Sequence, residues 1–177
     1  FLIKTADGSG KSWSGSAYGN ASQASAKALK AETAVSICGG TFNIDSGDDA
    51  IHSNKDVTVS GGVIMASSGD DGIHADESLT ISGGKITVTR SYEGLEGINI
   101  TIEGGTTRVT ASDDGINGAG GNDGSSMGRP GGEWGPGAAG GNAVVSISGG
   151  YLYINAGGDG LDSNGSFTMS GGTVLVD

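Results

Sequence analysis

A chain of 177 residues that is only 34% hydrophobic is too poor in apolar side chains for a large globular core, and its 37 glycines recur at a fixed period, which excludes a disordered low-complexity tract. A formal charge of −11 and a pI near 4.3 exclude nucleic acid and anionic membrane as favoured partners and leave cations or neutral ligands. The single cysteine, Cys38, excludes an internal disulfide and reads as a buried structural thiol, and no apolar run approaches membrane-spanning length.

The first element is an apparent strand, Phe1-Leu-Ile-Lys4, and the last is Val174-Leu-Val-Asp177; both read as cut from within a repeat of a longer chain. Residues 8–24, rich in Ser, Gly and Ala with Trp13 and Tyr18, read as an insertion in an irregular first coil. Ala28-Leu29-Lys30-Ala31 then matches Gly72-Ile73-His74-Ala75 in its spacing to the next glycine pair. That match sets Lys27 and Lys30 in columns that are acidic or polar later. The pairs themselves begin at Gly39, Gly61, Gly83, Gly104, Gly149 and Gly171, in steps of 22, 22, 21, 45 and 22 residues. The long step is one repeat plus a Gly-rich loop over residues 118–142 that carries Trp134.

Each repeat holds three short strands by period-two alternation. Phe42/Ile44, Ile64/Ala66, Ile86/Val88, Leu152/Ile154 and Val174/Val176 follow the glycine pairs; Ile51, Ile73, Leu95, Ile116 and Leu161 follow an acidic turn. Val35/Ile37, Val57/Val59, Leu79/Ile81, Ile100/Ile102, Val145/Ile147 and Phe167/Met169 precede the next pair. A unit of this size cannot bury its apolar face alone and must stack. The expectation is an all-β fold, a right-handed parallel β-helix of about 22 residues per coil and three strands per coil, forming one domain over residues 1–177. A Ca²⁺-binding nonapeptide solenoid would repeat its glycines every nine residues, so it is set aside.

Ten residues after each first glycine stands an acid: Asp49, Asp71, Glu93, Asp114 and Asp159. One position earlier come Asp48, Asp70, Tyr92, Asp113 and Gly158; three positions later come His52, His74, Glu96, Asn117 and Asp162. Stacked equivalents lie roughly 4.8 Å apart, where two like charges repel by about 1 kcal/mol in water and by about 3–4 kcal/mol at an effective dielectric of 20. Something must neutralise such a ladder. Ca²⁺, which takes six to eight oxygens, is the cofactor expected, with Asp48, Asp49, Asp70, Asp71, Glu93, Glu96, Asp113, Asp114, Asn117, Asp159 and Asp162 as ligands. The glycines after most of these acids would let turn carbonyls face the same ions. The simpler alternative is that the acids cap backbone N–H groups in tight turns. Lys27 and Lys30 would close the end of the ladder under either reading. His52 and His74 read as solvent-facing turn residues, because a Zn²⁺ or Cu²⁺ site would lack a third strong N or S ligand.

The combined pattern Ser-Gly-Gly-x-Ile/Val, Asp-Asp-Gly-Ile-His-Ala and Leu-Thr-Ile, with Ser91-Tyr-Glu-Gly-Leu-Glu-Gly97, resembles the carbohydrate-binding, pectate-lyase-like β-helix proteins of plant-cell-wall-degrading anaerobic bacteria. The resemblance covers residues 28–117 and 143–177. It implies a right-handed β-helix, bound Ca²⁺, and extracellular binding of cellulose and acidic pectin. The Asp-Asp turns also resemble the Ca²⁺ turn of one class of pectate lyases. Here, however, the turns with the acid pair end in His52, His74 and Asn117, while Glu93–Glu96 and Asp159–Asp162 keep the later acid without the pair.

A lyase needs a strong base near its metal, yet no lysine follows Lys85, and only Arg90, Arg108 and Arg129 lie beyond it. A ladder of equivalent carboxylates is not a tuned acid–base pair. Non-catalytic binding is therefore expected, with Tyr151 and Tyr153 outward on one strand and Trp134 and Tyr92 as further sugar contacts. A pectate-type lyase is the alternative. The outward hydroxyl column Ser36, Thr58, Thr80, Thr101, Ser146 and Thr168 raises ice or a crystalline surface as a minor one.

Overall fold

The computed structural model describes residues 2–5, 26–119 and 142–177. The two insertions read near residues 8–24 and 118–142, and Trp134 with them, lie largely or wholly outside these. Fifteen strands and no helix make up the described residues, and every strand pairing is parallel.

The strands stack on three faces. One face carries β1 (Leu2–Thr5), the second halves of β3 (Ala34–Ser46) and β5 (Asp56–Ser67), β7 (Lys85–Arg90), β9 (Thr106–Ala111), β12 (Tyr151–Ala156) and β15 (Thr173–Val176). A second carries β2 (Leu29–Ala31), β4 (Ile51–Ser53), the starts of β6 (Ile73–Ile81) and β8 (Leu95–Ile102), β10 (Ile116–Gly118) and β13 (Leu161–Ser163). The third joins the first halves of β3 and β5 and the ends of β6 and β8 to β11 (Val144–Ile147) and β14 (Ser166–Met169). Partners pair one repeat apart, as in Ile51 with Ile73 and Ile73 with Leu95. This is the parallel β-helix the period implies.

The glycine pairs form one corner. The second residue of each, such as Gly62 and Gly84, sits at φ near +90°, where a side chain is strained. The first approaches the coil before it so closely that a Cβ on Gly83 would stand 2.5 Å from the Ser60 carbonyl oxygen. The core is a column of inward side chains, with Ile51, Ile73, Leu95 and Ile116 fully buried on the second face and Val59, Ile81, Ile102 and Ile147 on the third. Phe167, Met169 and Val176 are exposed because no described coil covers them.

Two expectations are corrected. Cys38 is exposed, not buried. Ile37 points inward and alternation turns its neighbour out, into the column of Ser60 and Ser82. The glycines after the acids are also needed for space, not for rotating carbonyls. A Cβ on Gly94 would stand 2.2 Å from Val109 Cγ1, and one on Gly115 would stand 2.1 Å from Ile154 Cγ2. Gly115→Ala is therefore expected to destabilise the fold by roughly 1–3 kcal/mol through overpacking. An unchanged denaturation midpoint would contradict that packing.

Candidate functional site

The acidic turns stack into a second corner, and most of their carbonyls are already engaged. Those of Asp49, Asp71, Glu93, Asp114 and Asp159 accept backbone N–H groups of Ala28, Ala50, Gly72, Gly94 and Gly115 at 2.9–3.1 Å. The side chains repeat the device in the other direction. Asp49 Oδ1 accepts from Asp71 N at 3.3 Å, Asp71 Oδ1 from Glu93 N at 3.3 Å, and Asp114 Oδ1 from Asp159 N at 2.7 Å. A carboxylate that caps the next coil is a structural part of the stack.

The remaining charge is met from inside the corner. Lys27 occupies the position of the acids one coil before Asp49; its ammonium contacts Asp49 and lies 3.4 Å from Asp48 Oδ1. Lys30, in register with His52, is exposed. His52 and His74 do not face solvent: their side chains are 9% and 12% exposed. His52 Nδ1 lies 2.8 Å from Asp49 Oδ2, and His74 Nδ1 lies 3.1 Å from Asp71 Oδ2 and 2.7 Å from Glu96 Oε2. The residue three places after an acid thus folds back onto the column, which the linear spacing did not reveal. Asn117 likewise donates through Nδ2 to Glu93 Oε1 at 2.8 Å. Ser46, which sequence reasoning passed over, donates to the Asp48 and Asp49 carbonyls, both at 2.7 Å. A serine three residues before an Asp was the available signal.

Burial works to raise the Asp49 pKa, but the hydrogen bond from His52 and the charge of Lys27 hold it well below the usual carboxylate range. Burial works to lower His74, yet its bonds to Asp71 and Glu96 push it up to about 11. Glu96 is pushed up to about 7 by burial, with the Asp71 charge adding to the rise and His74 opposing it. The raised His74 contributes stability that is complete below its unfolded pKa of about 6.5 and is lost as pH climbs toward 11. Glu96, also raised, loses stability from about pH 4.5 to 7, whereas the depressed Asp49 loses it only in acid, below about pH 4. Metal-stripped protein is thus expected to melt highest near pH 4 to 5 and to weaken steadily above. A melting temperature that rises between about pH 7 and 9 would contradict these pairings.

A separate cluster lies on the first face. Tyr151 and Tyr153 point outward, alternating with the buried Leu152 and Ile154. Arg108, directly opposite Tyr153 in register, holds its guanidinium carbon 5.4 Å from the centroid of each tyrosine ring. Tyr153 Oη donates to Asp177 Oδ2 at 3.0 Å. Lys85, Thr87, Thr106 and Thr173 share this outward face by register. Tyr92 stands instead at the acidic corner, in the place of Asp70 and Asp113. Arg108 was not assigned to this cluster from the sequence, because its partner strand follows across the 45-residue step.

The sequence model of one protein family, described as carbohydrate-binding domain-containing protein, matches residues 1–72 and 70–115. No curated protein and no solved structure matches the chain.

Proposed function

The chain belongs to the carbohydrate-binding domain-containing protein family, and from that premise we propose that it binds plant cell-wall polysaccharide outside the cell without cleaving it. The observation that carries this reading is the outward cluster of Tyr151, Arg108 and Tyr153 on a parallel sheet. Aromatic faces stack on the apolar faces of sugar rings and exclude water there, while Arg108 and the flanking threonines supply donors to hydroxyl groups. Neutral glucans such as cellulose fit the tyrosines. For acidic pectins, Arg108 and Lys85 place positive charge on one face of an otherwise acidic protein.

Ca²⁺ fits only part of the acidic corner. Carboxylate oxygens of Asp48, Asp49 and Asp70 lie within 4.8 Å of one another, a hard-oxygen set, although Lys27 shares Asp48 and Asp49. Asp113, Asp114, Asp159 and Asp162 continue the acid column; burial raises Asp114, the Asp159 N–H lowers it, and the charges of the other three raise it further. Asp48, Asp49 and Asp70 would hold Ca²⁺ as they stand, and the later carboxylates would do so on drawing together; the ion would supply charge neutralisation and a bridge to uronate carboxylates. The group of Asp71, His74 and Glu96 offers nitrogen and does not suit Ca²⁺.

The alternative of a pectate-type lyase is disfavoured by the column's own bonding. Its carboxylates cap backbone N–H groups, and Lys27 is tied to Asp48 and Asp49 rather than free as a base. The test is incubation with polygalacturonate and Ca²⁺, following unsaturated product by absorbance alongside pull-down on insoluble cellulose and pectin. Retention without product is expected. Product that scales with protein would overturn the binder reading.

A further inference from the structure

We propose that Asp71, His74 and Glu96 form a site for a borderline divalent ion of the Zn²⁺ type, separate from the all-oxygen corners that suit Ca²⁺. The inference does not rest on the carbohydrate reading. The three residues converge from two successive coils. His74 and Glu96 are register partners of β6 and β8, and Asp71 lies in the turn leading into β6. One donor atom from each lies within 4.8 Å of the other two.

The ring nitrogen at the centre has too many acceptors. His74 Nδ1 stands 3.1 Å from Asp71 Oδ2 and 2.7 Å from Glu96 Oε2, and it carries at most one proton to share between them. Glu96 is 1% exposed, and its other oxygen, Oε1, has no hydrogen-bond partner. A buried carboxylate oxygen without a partner, beside an imidazole shared between two carboxylates, calls for a further donor of positive charge, and a divalent cation held by all three residues would supply it.

The donor chemistry selects the ion. Imidazole nitrogen with carboxylate oxygen suits Zn²⁺, whereas Ca²⁺ prefers oxygen alone. Tetrahedral ligands about 2.0–2.1 Å from Zn²⁺ lie about 3.3 Å apart, so donors at 2.7 and 3.1 Å need to spread only slightly. One ligand is already oriented, since Asp71 Oδ1 accepts the Glu93 N–H; His74 Nε2 lies 3.2 Å from Asp76 Oδ1 without a hydrogen bond between them. The ion would tie the Asp71–His74 coil to the Glu96 coil where two carboxylates otherwise face each other. Three protein ligands leave a fourth position for water.

The test uses the whole chain, stripped of metal with chelator and dialysed. Zn²⁺ uptake is measured by calorimetry, and Co²⁺ is used as a spectroscopic probe whose visible absorption reports tetrahedral nitrogen–oxygen ligation. Zn²⁺ is expected to raise the melting temperature, and Co²⁺ to give an intense visible band that excess Ca²⁺ does not remove. His74→Gln and, separately, the volume-conserving Glu96→Gln are each expected to weaken Zn²⁺ by about tenfold or more and to abolish the band. A far-UV spectrum confirms that each variant folds. Absence of Zn²⁺ uptake by the unaltered chain would overturn the proposal. So would uptake that persists in both variants, or Zn²⁺ that Ca²⁺ displaces at comparable concentration.

Discussion

Replacing Lys27 with methionine is expected to cost the fold about 3–5 kcal/mol, the penalty of leaving one member of a buried ion pair alone. Lys27 is the residue that ends the acid ladder. Its side chain is 16% exposed, and the carboxylate it contacts, Asp49, is 1% exposed. Burial works to lower the Lys27 pKa, and the charges of Asp49 and Asp48 more than offset it, so the ammonium persists. Methionine keeps the aliphatic stem and deletes only the charge. Asp49 would then face Asp48, Asp71 and Asp70 with the His52 ring as its nearest remaining polar partner. Adding Asp49→Asn in the same chain removes the orphaned charge and is expected to recover most of the loss. Urea denaturation of the single and double variants measures both effects. A cost below about 1 kcal/mol for Lys27→Met would mean that solvent, not Lys27, neutralises the column.

The second large effect falls on binding. Tyr151→Ala combined with Tyr153→Ala is expected to weaken polysaccharide affinity about 100-fold, on the order of 1–1.5 kcal/mol for each ring. Both rings point outward and pack mainly on Arg108, so the melting temperature should hardly move. Arg108→Lys keeps the charge but loses the flat guanidinium that spans the two rings. It is expected to produce an intermediate loss, larger for acidic than for neutral polymers. Affinity electrophoresis in gels cast with each polysaccharide reads all three variants. Unchanged mobility shifts in the double tyrosine variant would place binding elsewhere on the chain.

Most of the fold was legible because the solenoid writes its backbone geometry into the sequence once per coil. A corner at φ near +90° demands glycine, so the period of the coil appears as a period of Gly pairs. The inward residues of each strand follow from alternation, as Leu79 and Ile81 do, while Ile73 is marked by its place after the acidic turn. The same parity turns Cys38, beside the inward Ile37, outward, and at this position it prevails over the general tendency of cysteine to be buried. The acidic column was visible as a column, but its bonding was not. Whether His74 faces solvent or folds onto Asp71 and Glu96 depends on how two columns three residues apart interleave across coils. Alternation within β6 and β8 turns His74 and Glu96 away from Ile73 and Leu95, but it does not reveal that these side chains fold onto the acid column rather than into solvent. The Arg108 cluster was hidden for a different reason, since its register with Tyr153 spans the insertion.

The most direct test of the account is hydroxyl-radical footprinting of the intact chain with and without a soluble cell-wall oligosaccharide, read by mass spectrometry at each tyrosine. Ligand bound on the first face is expected to protect Tyr151 and Tyr153 from oxidation while leaving Tyr92, at the acidic corner, as reactive as before. Protection of Tyr92 with Tyr151 and Tyr153 unchanged would contradict the assignment of the sugar to the Tyr151–Arg108–Tyr153 face.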